Sequence, residues 1–170
     1  MDNATGVAVL LETARVLVDA KIEYSIVFVL FGGEECIDGG CTGSLQGSWD
    51  YVSEMTNEEK ESIFGMINID LVGKDGSIQL RREADLSSLL AEDMMIAFEQ
   101  QGLTTTFFES KDWSDHASFE EVDIPSVFIY TPSCCFEHTP EDTMEKVSFK
   151  RVEEITKGVV WYLVNDTMVQ

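Results

Sequence analysis

Tyr24 to Glu35 reads Y-S-I-V-F-V-L-F-G-G-E-E, a continuous apolar run closed by two glycines and two adjacent carboxylates. From Ile26 to Gly32 no residue carries a polar side chain, and Ile26, Val27, Phe28, Val29 and Phe31 are β-branched or aromatic. Such a run predicts a strand, Tyr24 to Phe31, buried on both faces of a largely parallel sheet. In open α/β sheets ligands bind beyond the carboxyl ends of the strands, so Glu34 and Glu35 fall where chemistry is done. Gly32 and Gly33 let the chain turn there and leave room for a ligand. Taken alone, the two glutamates also read as solvated loop residues.

Upstream, Val7, Leu10, Leu11, Ala14, Leu17 and Val18 recur at helical spacing through about Asp19. Asp2, Asn3 and Thr5 are all helix-start residues, so Asp2 reads as a cap as readily as a site residue. Downstream, a Gly-rich loop from Cys36 to Gly47 leads to a short helix around Trp49 to Met55. Phe64 to Val72 is a second strongly apolar strand with Asp70 near its carboxyl end, and Ser77 to Arg81 a short strand after a K-D-G turn. Asp85 can cap a helix with Leu86, Leu89, Leu90, Met94, Ala97 and Phe98 on its apolar positions, closing at Gly102. Its methionines read as core packing. Thr104 to Glu109 and Pro125 to Tyr130 are further strands, separated by S-D-H-A-S-F at Ser114 to Phe119 on a loop or short helix. A long loop, Thr131 to Lys146, precedes a final helix capped by Ser148 with Phe149, Val152, Ile155, Val159, Val160 and Leu163 on one face. Strands alternating with helices predict one α/β domain, a three-layer sandwich with a mostly parallel mixed sheet.

The 170 residues, 44% of them hydrophobic, are enough for one domain with a real core. With 11 basic against 32 acidic residues the net charge is -21, which opposes binding to nucleic acid or anionic membranes. No apolar run approaches the roughly 18 residues of a membrane span, and no signal peptide is evident, so the chain reads as soluble with its compartment open. Cys36, Cys41, Cys134 and Cys135 are too few for a disulfide scaffold and lack C-x-x-C spacing. They flank the candidate site residues in two pairs, either as free thiols or with a disulfide within or between the two loops.

The loops after the apolar strands carry Glu34, Glu35, Asp70, Asp115, His116 and His138. Carboxylates and imidazole on converging loops suit zinc, with a nearby glutamate that does not coordinate serving as base. In order along the chain stand D-N-A-T-G at Asp2 to Gly6, F-G-G-E-E at Phe31 to Glu35, N-I-D-L-V-G at Asn68 to Gly73, S-D-H-A-S-F followed by I-P-S-V-F, and H-T-P-E-D-T at His138 to Thr143. Together these blocks resemble the zinc aminopeptidase family typified by secreted bacterial leucyl aminopeptidases, which also includes glutaminyl cyclases and folate-hydrolysing carboxypeptidases. The resemblance spans nearly the whole chain and implies the zinc-dependent exopeptidase fold. It implies that Asp2 bridges two zinc ions, that Glu35 and His138 complete the first site, that Asp70 belongs to the second, and that Glu34 is the general base. Asp115 and His116 would orient the site from behind or face substrate, and His116 reads equally as an imidazole bonded to backbone.

One element of the family pattern has no counterpart here. Family members carry a strand ending in G-H-x-D upstream of the bridging aspartate, whose histidine completes the second zinc site. In this chain Asp2 follows Met1 and neither of the two histidines lies upstream. The expectation is therefore a zinc aminopeptidase domain lacking N-terminal strands, acting on peptides, with one well-formed zinc site and an incomplete second. Unpaired strands would offer a route to a homo-oligomer. Two other readings stand beside it, a single-zinc glutaminyl cyclase-like enzyme and a non-catalytic family remnant acting as a binding module.

Overall fold

A computed structural model describes residues 1–35, 44–82, 88–109, 113–132 and 136–165. Along the chain come α1 (Ala4–Leu17), α2 (Gln46–Glu54), α3 (Asn57–Glu61), β1 (Met66–Ile69), β2 (Ile78–Arg81), α4 (Ser88–Gln100), β3 (Thr105–Phe108), α5 (His116–Glu120), β4 (Ser126–Tyr130), a 3-10 turn (Met144–Lys146) and α6 (Phe149–Asn165). Among the described residues the strands form one sheet in the order β1-β4-β2-β3. β1 runs parallel to β4 and β2 parallel to β3, while β2 and β4 are antiparallel, which gives the mostly parallel mixed sheet.

Alternation along the strands splits the core in two. Ile67, Ile69, Val127 and Ile129 face a cluster with Val9, Met94, Phe98, Ile155 and Val159 from α1, α4 and α6. On the other side Val52 of α2 and Phe119 of α5 pack with Ile124 and the half-buried Met66. Helices thus cover both faces, and the chain is the expected three-layer sandwich. Gly158 brings α6 against α4, because a Cβ there would collide with the Phe98 ring. Gly102, at φ +73, ends α4, and the N–H of Leu103 donates back to Phe98 O, as its position in the pattern predicts. Ser148 caps α6 by accepting from Arg151 N at 3.3 Å. Two apolar positions expected inside, Leu89 and Phe149, are exposed.

The main correction concerns the opening apolar run. Residues 25–31 form no regular element and pair with no strand among the described residues, and Val27 and Leu30 are 71% and 58% exposed. Ile22, Tyr24 and Ile26 do pack on the core, and Tyr24 donates its hydroxyl proton to Leu163 O. Only one side of the segment is therefore covered. β1 bonds β4 through alternate peptide groups, with Met66 N donating to Pro125 O and Asp70 N to Ile129 O. The intervening groups at Ile67 and Ile69 face the other way, and Ile69 O accepts from the Asn3 side chain. Apolar, β-branched sequence makes a segment fit to be a strand, but strand structure requires a partner.

Candidate metal centre

The carboxyl end of β1, the start of α1 and two loops enclose a cavity of about 760 Å³ lined by Asp2, Asn3, Phe31, Gly33, Glu34, Glu35, Asp70, Asp115, His138 and Asp142, among others. Asp2 reaches it because the cap of α1 is its neighbour: Asn3 Oδ1 accepts from Gly6 N at 3.0 Å. This leaves the Asp2 carboxylate for the cavity. Asp142, the last acid of H-T-P-E-D-T, accepts from the Asp2 N–H at 2.9 Å and from the Met1 amine at 2.6 Å, and so holds the Asp2 backbone.

At the open side, His138 Nε2 lies 2.7 Å from Glu35 Oε1 and 3.1 Å from Asp2 Oδ2. One donor atom from each of Asp2, Glu35 and His138 falls within 4.8 Å of the others. His138 has φ 61, a left-handed backbone uncommon for a residue with a side chain, and Leu71, next to Asp70, has φ 53. Such conformations cluster at functional sites. The hydrogen bond to Glu35 raises the affinity of His138 for a proton, while burial and the nearby Glu35 charge raise that of Asp2.

The inner side is built differently. Asp70 is buried and accepts a hydrogen bond from Ser114 Oγ at 2.8 Å on Oδ2, whereas its Oδ1 has no partner among the described residues. Burial pushes the Asp70 carboxyl up to about 6 despite the opposing hydrogen bond from Ser114. Glu34 is pushed to about 8, first by burial and then by the charges of Asp70, Glu35, Asp115 and Asp2. Asp115 also lines the cavity, and burial raises its carboxyl too.

His116 stands apart from the cavity. It is fully buried, its ring stacked on Phe128 at a centroid distance of 4.9 Å and its Nδ1 3.4 Å from the Asn68 amide. Burial and the Arg81 charge hold its imidazole neutral, down to about 3. Thus Asp2, Glu34, Glu35, Asp70, Asp115 and His138 converge and His116 does not. Ser114 and Asp142 do work the sequence reading left unassigned, although both stand inside the quoted motifs. The four cysteines lie outside the described residues, and with them the expected disulfide.

The donor set fits a zinc ion. Two carboxylates and an imidazole nitrogen converge with a glutamate beside them, and a buried carboxylate oxygen of Asp70 lacks the partner that a cation would supply.

The model of Peptidase family M28 matches residues 1–163. The aminopeptidase YwaD of Bacillus subtilis (strain 168) is 31% identical over 163 residues, covering 90% of this chain and 34% of the relative. A solved zinc aminopeptidase from Bacillus subtilis superposes with a TM-score of 0.82 at 29% identity, covering 94% of this chain and 40% of that one. An Acidobacteriales glutaminyl cyclase shares the fold, with a TM-score of 0.77 at 22% identity over 93% of this chain and 59% of its own. The chain therefore spans between about a third and three fifths of the length of these relatives.

Proposed function

This chain belongs to peptidase family M28, and we propose on that premise that it carries the catalytic centre of a zinc-dependent aminopeptidase, which removes N-terminal residues from peptides. The observation that carries the reading is the meeting of Asp2, Glu35 and His138 within 4.8 Å, with Glu34 in the same cavity. Those three residues would hold the first zinc, and Asp2 with Asp70 a second. Among the described residues no second imidazole reaches the cavity, since His116 stacks on Phe128 away from it. Zinc supplies Lewis-acid polarisation of the scissile carbonyl and of the attacking water.

The remaining chemistry belongs to the side chains. With positive charge offsetting its acidic neighbours, Glu34 returns towards the carboxylate, accepts a proton from the attacking water and delivers one to the departing amine. Six carboxylates, Asp2, Glu34, Glu35, Asp70, Asp115 and Asp142, line the cavity and favour a substrate whose reacting end is a cationic α-amine. Asp115 orients the inner wall and His116 packs behind it.

Turnover of aminoacyl p-nitroanilides during a zinc titration tests the reading, since a peptidase cleaves them and a binding module does not. A peptide beginning with glutamine separates the cyclase alternative, which would release ammonia and leave the chain length unchanged. Self-association through residues 25–31, which are unpaired among the described residues, belongs to the same reading. Sedimentation at tens of micromolar should give a dimer that Leu30→Lys dissociates, and a monomeric wild-type chain would remove this part.

A further inference from the structure

The loop that carries Glu34 is held by one helix. The N–H groups of Gly47, Gln46 and Leu45 donate in turn to the carbonyls of Gly32, Gly33 and Glu34 at 3.0, 2.9 and 2.9 Å. These donors belong to the start of α2, where helix N–H groups have no intrahelical partner, and α2 has no side-chain cap. The loop carbonyls take the place of a cap. Their approach depends on Gly47, because a Cβ there would collide with Gly32 O. Glu34 is therefore placed wherever the first turn of α2 is placed.

What places that turn is its next residue. Ser48 is fully buried, and its Oγ lies 2.7 Å from Ser118 Oγ on α5. It also donates to Leu45 O at 3.1 Å, across the first turn of α2. A hydroxyl has one proton, so Ser118 donates to Ser48 and ties that turn to α5. Asp115 stands at the start of α5, and its Oδ1 has no partner among the described residues. Asp115 in turn follows Ser114, which holds Asp70. A continuous path thus runs from the Glu34 loop through α2, Ser48 and Ser118 into α5, and from the start of α5 at Asp115 through Ser114 to Asp70.

We propose that Ser48 is a positioning residue that locks the Glu34–Glu35 loop to the Asp115–Ser114–Asp70 wall and so fixes the spacing of the two sides of the centre. The assignment of Glu34 as base rests on the aminopeptidase reading, whereas the mechanical coupling does not. Removing the hydroxyl breaks the tie between α2 and α5 and lets α2 shift, carrying with it both Glu34 and the ligand Glu35.

The test compares Ser48→Ala and Ser118→Ala with Val52→Ala, a cavity-forming control at a buried site on the same helix. Zinc affinity is measured by chelator competition with zinc alone, amide exchange is followed at Leu45, Gln46 and Gly47, and kcat and KM are determined separately. Ser48→Ala is expected to weaken zinc binding and lower kcat about tenfold, as loss of an outer partner of a metal site does, with KM within about twofold and those three amides exchanging faster. Ser118→Ala, which leaves the Ser48–Leu45 bond in place, should show a smaller change in the same direction, and covers the case in which Ser48→Ala fails to fold. Val52→Ala should lower the melting temperature without changing zinc affinity. If Ser48→Ala binds zinc like the wild type, or Val52→Ala weakens zinc equally at equal loss of stability, Ser48 only fills space. A wild-type chain that binds zinc but turns nothing over removes the peptidase reading and leaves the zinc and exchange readouts to decide the positioning.

Discussion

The two sides of the cavity solve the same problem, concentrated negative charge, in opposite ways. On the outer side Glu35 and His138 are 52% and 63% exposed, and imidazole sits between two carboxylates, so water and an opposite charge offset the acids. On the inner side Asp70 and Asp115 are buried, and Asp70 meets the hydroxyl of Ser114, which donates a hydrogen bond but carries no charge. Hydroxyls orient a carboxylate without neutralising it, so the excess appears as retained protons on Asp70 and, most strongly, on Glu34 between the two sides. On the proposed reading the outer side holds a cation by coordination, and the inner side holds carboxylates still.

Removing the group between the sides should have the largest effect. Glu34→Gln keeps the shape but cannot take a proton, and kcat should fall roughly a thousandfold, within the range for loss of a general base, while zinc stoichiometry is unchanged. If Glu34→Gln also strips zinc, Glu34 is a ligand and the roles of Glu34 and Glu35 are exchanged. Next in size, His138→Ala removes the outer side's nitrogen donor. Zinc affinity should drop more than about a hundredfold, exceeding what loss of an outer partner costs; an affinity within tenfold of wild type would sink the three-ligand site. Smaller again, Ser114→Ala touches only the inner side. The Asp70 carboxylate loses its orienting donor, and kcat/KM should fall about tenfold with the first zinc still bound tightly. Equal weakening of the first zinc would show that the sides are not separate.

The same contrast marks what could be read from the sequence. Glu34, Glu35, Asp70 and His138 follow apolar runs, and the rule that sites lie beyond the carboxyl ends of strands brings them together. Asp2 stayed undecided because any of several start residues can cap a helix. The side chain of Asn3 settles it by reaching Gly6 N, the spacing of a cap to the third helical residue. The α3 start, T-N-E-E, is a capping box with Thr56 and Glu59 exchanging hydrogen bonds, a local signal present in the sequence but not used. Ser114 and Ser48 could not be found this way, because a serine that orients a distant carboxylate or ties two helices together has no period and no spacing. Residues 25–31 failed as a strand for the converse reason: the local pattern is complete, and pairing depends on chain elsewhere. His116, ambiguous in sequence, was decided by Phe128, which meets it only once β4 is placed.

The smallest expected effect is on stability, and it separates the charge accounting of the two sides from general acidity. In the zinc-free chain Glu34 holds its proton to about pH 8, against 4.5 for an ordinary glutamate, and Asp70 to about 6 against 3.8. A carboxyl whose folded value is raised binds its proton more tightly in the folded state. Both states are protonated below the unfolded value, so nothing is lost there. As pH rises from 4.5 to 8 the unfolded chain gives up the Glu34 proton first and folding stability declines, levelling off above 8. His138 acts in the same direction, since its raised affinity, due first to the Glu35 hydrogen bond, contributes stability below 6.5 that is lost as pH passes its folded value. With chelator present the chain should therefore melt at a higher temperature at pH 5 than at pH 8.5. Zinc requires ionised carboxylates and neutral imidazole, so it binds more tightly at the higher pH and should shrink or reverse the difference. Glu34→Gln isolates the site from the background of a chain with net charge -21. The variant keeps every other acid, so in chelator its melting temperature should fall less between the two pH values than that of the wild type. Identical pH dependence in the two proteins would mean that Glu34 is already ionised without zinc, and that the inner side neutralises its charge after all.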